Sequence, residues 1–177
     1  YISQDISKKM QTGKSRTKPS LASVRSTYNP GDKLPTRNGF GNGLVAWGEA
    51  NERVVALCAD LSESTRVKEF ADKFGIFSHT NPQGRFIGVG VREQGMEGIA
   101  AGLAEYGKLP ITSTFDCFAN RMMNQLKVIA QAKLPVIAHF SHVGLGVGPD
   151  GSTHQSVIVS AVLKLLPDTA ILEPADA

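Results

Sequence analysis

Residues 86–114, FIGVGVREQGMEGIAAGLAEYGKLPITST, contain the pattern that decides the fold. An apolar run from Phe86 to Val89 is followed by a stretch of helical period at about residues 93–106, and then by a second apolar run from Pro110 to Thr114. Apolar runs of about four to eight residues are typical of buried strands, and longer stretches of helical period indicate helices. The stretch therefore predicts a strand, a crossover helix and a second strand, which is the unit of a parallel sheet.

The same alternation extends in both directions from this unit. Further strands are predicted at Val54–Cys58, Pro135–Phe140 and Ala170–Leu172, and further helices at residues 37–50, 65–73, 115–132 and 154–166. Nearly continuous apolar strands separated by helices predict an α/β domain whose mostly parallel sheet is covered by helices on both faces. Because ligands bind at the carboxyl ends of such strands, the polar residues that follow each strand should meet at one rim.

A basic segment precedes this pattern. Residues 1–33 contain seven Lys or Arg and two Asp, which leaves 12 basic and 14 acidic residues in the rest of the chain. We interpret residues 1–33 as a basic polar linker or tail and residues 34–177 as one domain. The basic residues lie in a Ser- and Lys-rich stretch without interleaved aromatic residues, so the pattern argues against nucleic-acid binding.

Composition narrows the class of protein further. The chain has 177 residues, 41% of them apolar and 20% charged, and none of its apolar runs approaches the roughly 18 residues needed to cross a bilayer. No membrane partner is expected. Cys58 and Cys117 lack metal-ligand spacing, and we interpret them as free thiols in a reducing, cytoplasmic setting.

Glu93 lies where the second strand turns into its helix, within Val91-Arg92-Glu93-Gln94. Small residues follow it along the helix, so its carboxyl group is expected near closely packed backbone. The position alone favours an ordinary first-turn acid that is stabilised by the helix dipole.

A glycine-rich loop follows the fourth strand, HFSHVGLGVGPDGSTHQ at residues 139–155, with three of the four histidines of the chain. It contains the spacing of a dinucleotide-binding motif at Gly146, Gly148 and Gly151. We reject that interpretation because Asp150 would repel a pyrophosphate there. The histidine spacing fits no standard zinc site, so no metal ligand is assigned, and His139 is expected to have an ordinary surface role.

Taken together and in order, six segments resemble transketolase from about residue 34 to the end of the chain. They are Thr36-Arg37, residues 59–64 (ADLSES), residues 90–94 (GVREQ), Ser113-Thr114-Phe115, residues 150–155 (DGSTHQ) and residues 173–176 (EPAD). The resemblance implies the thiamine-diphosphate-binding pyrimidine-domain type of fold. It also implies transfer of a two-carbon ketol unit from a ketose phosphate to an aldose phosphate.

The resemblance further implies a role for each candidate site residue. Glu93 would be catalytic and share a proton with N1′ of the aminopyrimidine ring of thiamine diphosphate, as suits a carboxyl group in an apolar pocket. The remaining cofactor contacts would come from Asp60, Phe115 and Phe118. The substrate contacts would come from Arg37, Ser64, His142, Asp150 and His154, with His154 also catalytic at the reacting carbon's oxygen.

Two features of the family are not found in this sequence. The Gly-Asp-Gly motif that binds the diphosphate through Mg²⁺ or Ca²⁺ is absent, and Arg121 stands where a third aromatic residue is common. We therefore expect a diphosphate-binding partner domain or subunit, a homodimer or heterotetramer, and no activity from the chain alone.

Two alternatives remain open. One is an enzyme similar to 1-deoxyxylulose-5-phosphate synthase, which shares much of this pattern but tends to carry an acidic residue in place of His142 and an arginine in place of Phe118. The other is a non-catalytic interaction module that retains the fold. Glu93, Asp150 and His154 argue against the module, because a degenerate site should have lost at least one of them.

Overall fold

A computed structural model describes residues 28–29 and 31–175. Its elements in chain order are α1 (Thr36–Ala50), β1 (Val54–Cys58), α2 (Lys68–Phe74), β2 (Phe86–Gly88), α3 (Glu93–Glu105), β3 (Leu109–Phe115), a 3₁₀ helix (Asp116–Met122), α4 (Met123–Gln131), β4 (Ile137–Ser141), two short 3₁₀ helices (Gly148–Asp150 and Ser152–His154) and α5 (Val159–Leu163). Most of the predicted tail lies outside the described residues, so the division at residue 33 stays a prediction.

The four strands form one parallel sheet in the order β2-β1-β3-β4. β1 and β3 are central and almost wholly buried, which explains why their sequences are apolar or small at nearly every position. The prediction of a parallel α/β sheet is confirmed.

Helices cover both faces of the sheet, as the sequence predicts. On one face, Leu44 of α1 and Phe70 of α2 pack against Val54, Ala56 and Ile111. On the other face, α3, α4 and α5 pack on Val55 and Leu57; their buried contacts are Met96, Ala100, Leu126 and Val159. Successive residues of β1 thus alternate between two cores, as the two-residue period of a strand requires. Among the described residues no helix is long and apolar enough to cross a membrane.

Three predicted elements differ from the structure. The single helix predicted over residues 115–132 is a 3₁₀ helix (Asp116–Met122) followed by α4, and Phe115 belongs to β3. Ala170–Leu172 is not a strand, and Leu172 is 87% exposed. A strand needs a hydrogen-bonded neighbour, and this segment pairs with none of the described strands. The helix predicted over residues 154–166 is reduced to α5, because a 3₁₀ turn and an extended segment precede it.

Candidate functional site

The candidate site lies at the carboxyl ends of the strands, where several predicted residues follow β1, β3 and β4. Asp60 and His142 both adopt positive φ angles, 64° and 57°, shortly after β1 and β4. Such angles are uncommon for residues other than glycine and cluster at functional sites.

Glu93 is the first residue of α3 and is only 2% exposed. Its position in the first turn places the carboxylate near the positive end of the helix dipole. Arg121 Nη1 lies 3.3 Å from each carboxylate oxygen of Glu93. The Arg121 side chain is itself 55% exposed, so a buried anion is paired with a cation at the edge of solvent.

Two nearly parallel phenylalanine rings, called the aromatic wall below, are linked to this carboxylate through Arg121. The rings of Phe115 and Phe118 lie 5.9 Å apart with an angle of 7° between their planes. The guanidinium carbon of Arg121 is 5.2 Å from the centre of the Phe118 ring, which ties the wall to Glu93. An aromatic wall linked by one arginine to a buried carboxylate suits a flat heterocycle that carries a ring nitrogen.

The local geometry explains how these residues share one side. Phe115 ends β3, and the 3₁₀ helix that follows has about three residues per turn, so side chains at positions three apart align. Phe115, Phe118 and Arg121 have this spacing. The aromatic pair and its arginine therefore face the same space.

Arg37, Ser64 and His142 are brought together from three distant parts of the chain. Arg37 Nη1 donates a hydrogen bond of 3.2 Å to the carbonyl oxygen of Ser64. Burial lowers the pKa of His142, and the positive charge of Arg37 lowers it further, while Asp150 opposes the shift. Arg37 therefore remains the principal cation of this group near neutral pH.

His154 and Asp150 lie on the glycine-rich loop beside the aromatic wall. The His154 ring is 5.6 Å from Phe118, and its Nδ1 is 3.2 Å from the Asp150 carbonyl oxygen. The Thr153 hydroxyl oxygen lies 3.0 Å from the same Nδ1, so Nδ1 is engaged within the loop and Nε2 is the ring nitrogen without a hydrogen bond to a described residue. The His142 ring, 3.9 Å from Phe115, packs against the aromatic wall at the end of β3.

Two predicted residues lie apart from this network. No side-chain hydrogen bond or ion pair links Asp60 to any other residue that the structure describes, although Asp60 is at the rim. His139 does not have the surface role expected of it. Its ring stacks on Phe40 with centres 3.4 Å apart, Ser113 Oγ lies 2.8 Å from its Nδ1, and burial lowers its pKa to about 4.

Two further features of the polar residues were not predicted. One is the Arg121 partner of Glu93. The other is Glu97, one helical turn after Glu93, which is fully buried with neither carboxyl oxygen hydrogen-bonded to a described residue. Burial raises the pKa of Glu97 to about 7, and the nearby Thr112 hydroxyl opposes that rise. The i to i+4 spacing is the sequence signal that could have placed both carboxyl groups on one face of α3.

The sequence that forms this site matches a known protein family. Residues 32–177 match the family described as the pyrimidine-binding domain of transketolase. A putative transketolase C-terminal section from Methanocaldococcus jannaschii is 37% identical over 142 residues, which are 79% of this chain and 42% of that protein. A 1-deoxy-D-xylulose-5-phosphate synthase from Clostridium acetobutylicum is 33% identical over 98% of this chain and 26% of its own length.

A solved structure agrees with the match. The crystal structure of transketolase from Pichia stipitis in complex with sedoheptulose 7-phosphate superposes with a TM-score of 0.77 and 26% identity, covering 84% of this chain and 23% of that one. The chain thus spans less than half the length of the curated relatives described above.

Proposed function

Because the chain belongs to the transketolase family through its pyrimidine-binding domain, we propose that it binds the aminopyrimidine ring of thiamine diphosphate for ketol transfer. The reaction moves a two-carbon ketol unit from a ketose phosphate to an aldose phosphate. One observation carries the proposal: the Glu93 carboxylate, 2% exposed, opens α3 and pairs with Arg121, whose guanidinium also lies 5.2 Å from the centre of the Phe118 ring.

The donor set fits the ring. Phe118 offers a partly exposed aromatic face, backed by Phe115, which is only 5% exposed, and the enclosed Glu93 carboxyl can hold a proton at a ring nitrogen. Asp60, at the rim, is proposed as an outer contact to the cofactor. When bound, thiamine diphosphate supplies the carbon nucleophile that side chains lack.

The substrate side of the proposal rests on two groups at the same rim. Arg37, Ser64 and His142 would bind the terminal phosphate, since a planar guanidinium suits phosphate oxygens. His154, with Nδ1 turned to a carbonyl, would present Nε2 to the oxygen of the reacting carbon, and Asp150 would bind a sugar hydroxyl. That the Pichia stipitis relative was crystallised with a ketose phosphate supports this class of substrate.

The diphosphate and its Mg²⁺ or Ca²⁺ belong, in this proposal, to a partner domain or subunit. The similarity to a protein described as a transketolase C-terminal section supports such a division. The assembled enzyme would be a homodimer or a heterotetramer in the cytoplasm, where the free thiols of Cys58 and Cys117 stay reduced. The isolated chain would be inactive.

Turnover of Glu93→Gln in the assembled enzyme tests the proposal. Loss of a positioned acid should lower kcat by at least about 100-fold, while circular dichroism shows an intact fold. Glu105→Gln, an exposed carboxylate at the end of the same helix, is the matched control. Near-normal turnover of Glu93→Gln would refute the assignment.

The product distinguishes the rival enzyme. Formation of 1-deoxyxylulose 5-phosphate, rather than ketol transfer between sugar phosphates, would establish the synthase alternative. Absence of both reactions, with cofactor bound, would favour the non-catalytic module.

A further inference from the structure

The contact between Arg121 and Glu93 has a consequence for ligand entry. Both carboxylate oxygens of Glu93 lie 3.3 Å from Arg121 Nη1, and the guanidinium carbon is 5.2 Å from the centre of the Phe118 ring. The guanidinium therefore engages both the acid and the Phe118 ring of the aromatic wall. A flat ring that binds to both Glu93 and Phe118 would compete with the guanidinium for these contacts.

The two partners differ in their freedom to move. The Glu93 side chain is 3% exposed and belongs to a regular helix, whereas the Arg121 side chain is 55% exposed. A buried carboxylate without a partner is strongly unfavourable, so the free protein gains from the arginine. A long, half-exposed arginine can swing into water at little cost.

We propose that Arg121 is a gate on the pyrimidine pocket: its guanidinium occupies Glu93 in the free protein and has to leave when a ring nitrogen takes that position. The inference rests on the proposed function of Glu93. Arg121 acts here as a residue that controls access and not as a catalytic residue. A third aromatic residue at this position would widen the wall without competing for the acid.

An alternative role for Arg121 predicts the opposite effect of its removal on binding of the ring. A guanidinium is planar and can stack on a heterocycle, so Arg121 could extend the wall in place of the third aromatic residue. In that case its removal would weaken binding of the ring. The present contacts favour the gate, because both oxygens of the acid are engaged by the same nitrogen.

Binding of the neutral probe 4-amino-5-(hydroxymethyl)-2-methylpyrimidine to the 177-residue chain tests the gate by nuclear magnetic resonance titration. Arg121→Leu should bind the probe about three- to fivefold more tightly, the gain expected from removing a half-exposed ion pair. Lys127→Leu, an exposed residue on α4 with the same change of charge, should leave the dissociation constant unchanged. Thermal melting monitors the fold of each variant.

The outcomes separate the gate from the function on which it rests. Unchanged binding of the probe by Arg121→Leu overturns the gate but not the pyrimidine pocket. Weaker binding also overturns the gate and indicates instead that Arg121 stacks on the ring. Binding by none of the variants refutes the pyrimidine pocket and the gate with it.

A ligand-free measurement tests the contact itself. The guanidinium signals of Arg121, in nitrogen-15-labelled protein, should show restrained rotation that Glu93→Gln releases. Identical signals in the two proteins would overturn the gate.

Discussion

Replacing Glu97 with glutamine should remove a loss of stability that the protein otherwise suffers as the pH rises through the neutral range. Glu97 is fully buried on α3, and its carboxyl oxygens are not hydrogen-bonded to any described residue. Thr112 and Thr114 of β3 are equally buried, and neither hydroxyl is paired with a described residue. Ionisation of Glu97 would place a charge among groups that do little to stabilise it.

The magnitude follows from the pKa of this group. Burial raises the pKa of Glu97 from its ordinary 4.5 to about 7. Between these values the unfolded chain has released its proton while the folded chain retains it, so the free energy of unfolding falls as the pH rises. At 1.36 kcal/mol per pH unit the full loss is roughly 3 kcal/mol, complete above about pH 7. That is a large part of the roughly 5–15 kcal/mol that stabilises a typical domain.

Urea denaturation at pH 5 and pH 8, followed by circular dichroism, measures the effect. Part of the loss has already occurred at pH 5, so the stability of Glu97→Gln relative to wild type should improve by about 2.5 kcal/mol between the two pH values. Glu105→Gln, exposed at the end of the same helix, should keep a constant difference from wild type. A constant difference for Glu97→Gln as well would refute the reasoning.

Three further predictions concern packing, acid stability and substrate choice. Gly48→Ala should destabilise by about 1–3 kcal/mol, because the added Cβ would lie 2.6 and 2.7 Å from two phenylalanine rings. A Cβ added by Gly43→Ala on the same helix would have no atom within 4 Å, so this change should stabilise the protein by about 0.5–1 kcal/mol. Equal melting temperatures of the two variants would contradict both predictions. His139→Gln should lessen the loss of stability as the pH falls from 6.5 to about 4, since only the unfolded histidine takes up a proton there; an unchanged acid denaturation profile would contradict this. Arg37→Ala should lower kcat/KM for a phosphorylated donor by about 10- to 100-fold and spare its unphosphorylated analogue, whereas His154→Ala should slow both. An equal fall in kcat/KM for both donors in Arg37→Ala would contradict the phosphate-binding role of Arg37.

Much of the fold could be predicted because strands and helices depend on the local periodicity of apolar residues. Val54–Cys58 and Leu109–Phe115 are central strands, and their nearly unbroken apolar or small residues follow from burial on both faces. The prediction failed at Ala170–Leu172, where three apolar residues have the composition of a strand. A strand forms only when a second segment hydrogen-bonds to it, and the composition of one segment does not show whether such a neighbour is present.

The candidate site could be predicted in part for a similar reason. Residues that follow parallel strands must meet at one rim, so Phe115 and His142 could be placed near each other from their positions alone. The role expected for Glu93 came from a motif, and its burial agrees with that role without testing it.

The sequence by itself determined the order of most strands and helices along the chain and the transketolase-type motifs. It also indicated the edge of the sheet at which the polar residues of these motifs should lie. These depend on periodicity and chain order, which a linear sequence contains. Only the tertiary structure decided that Arg121 reaches Glu93 across 28 residues, that Glu97 is sealed from water, and that His139 stacks on Phe40. Each of these depends on which segments pack together and at what distance, and burial and charge pairing follow from that packing alone.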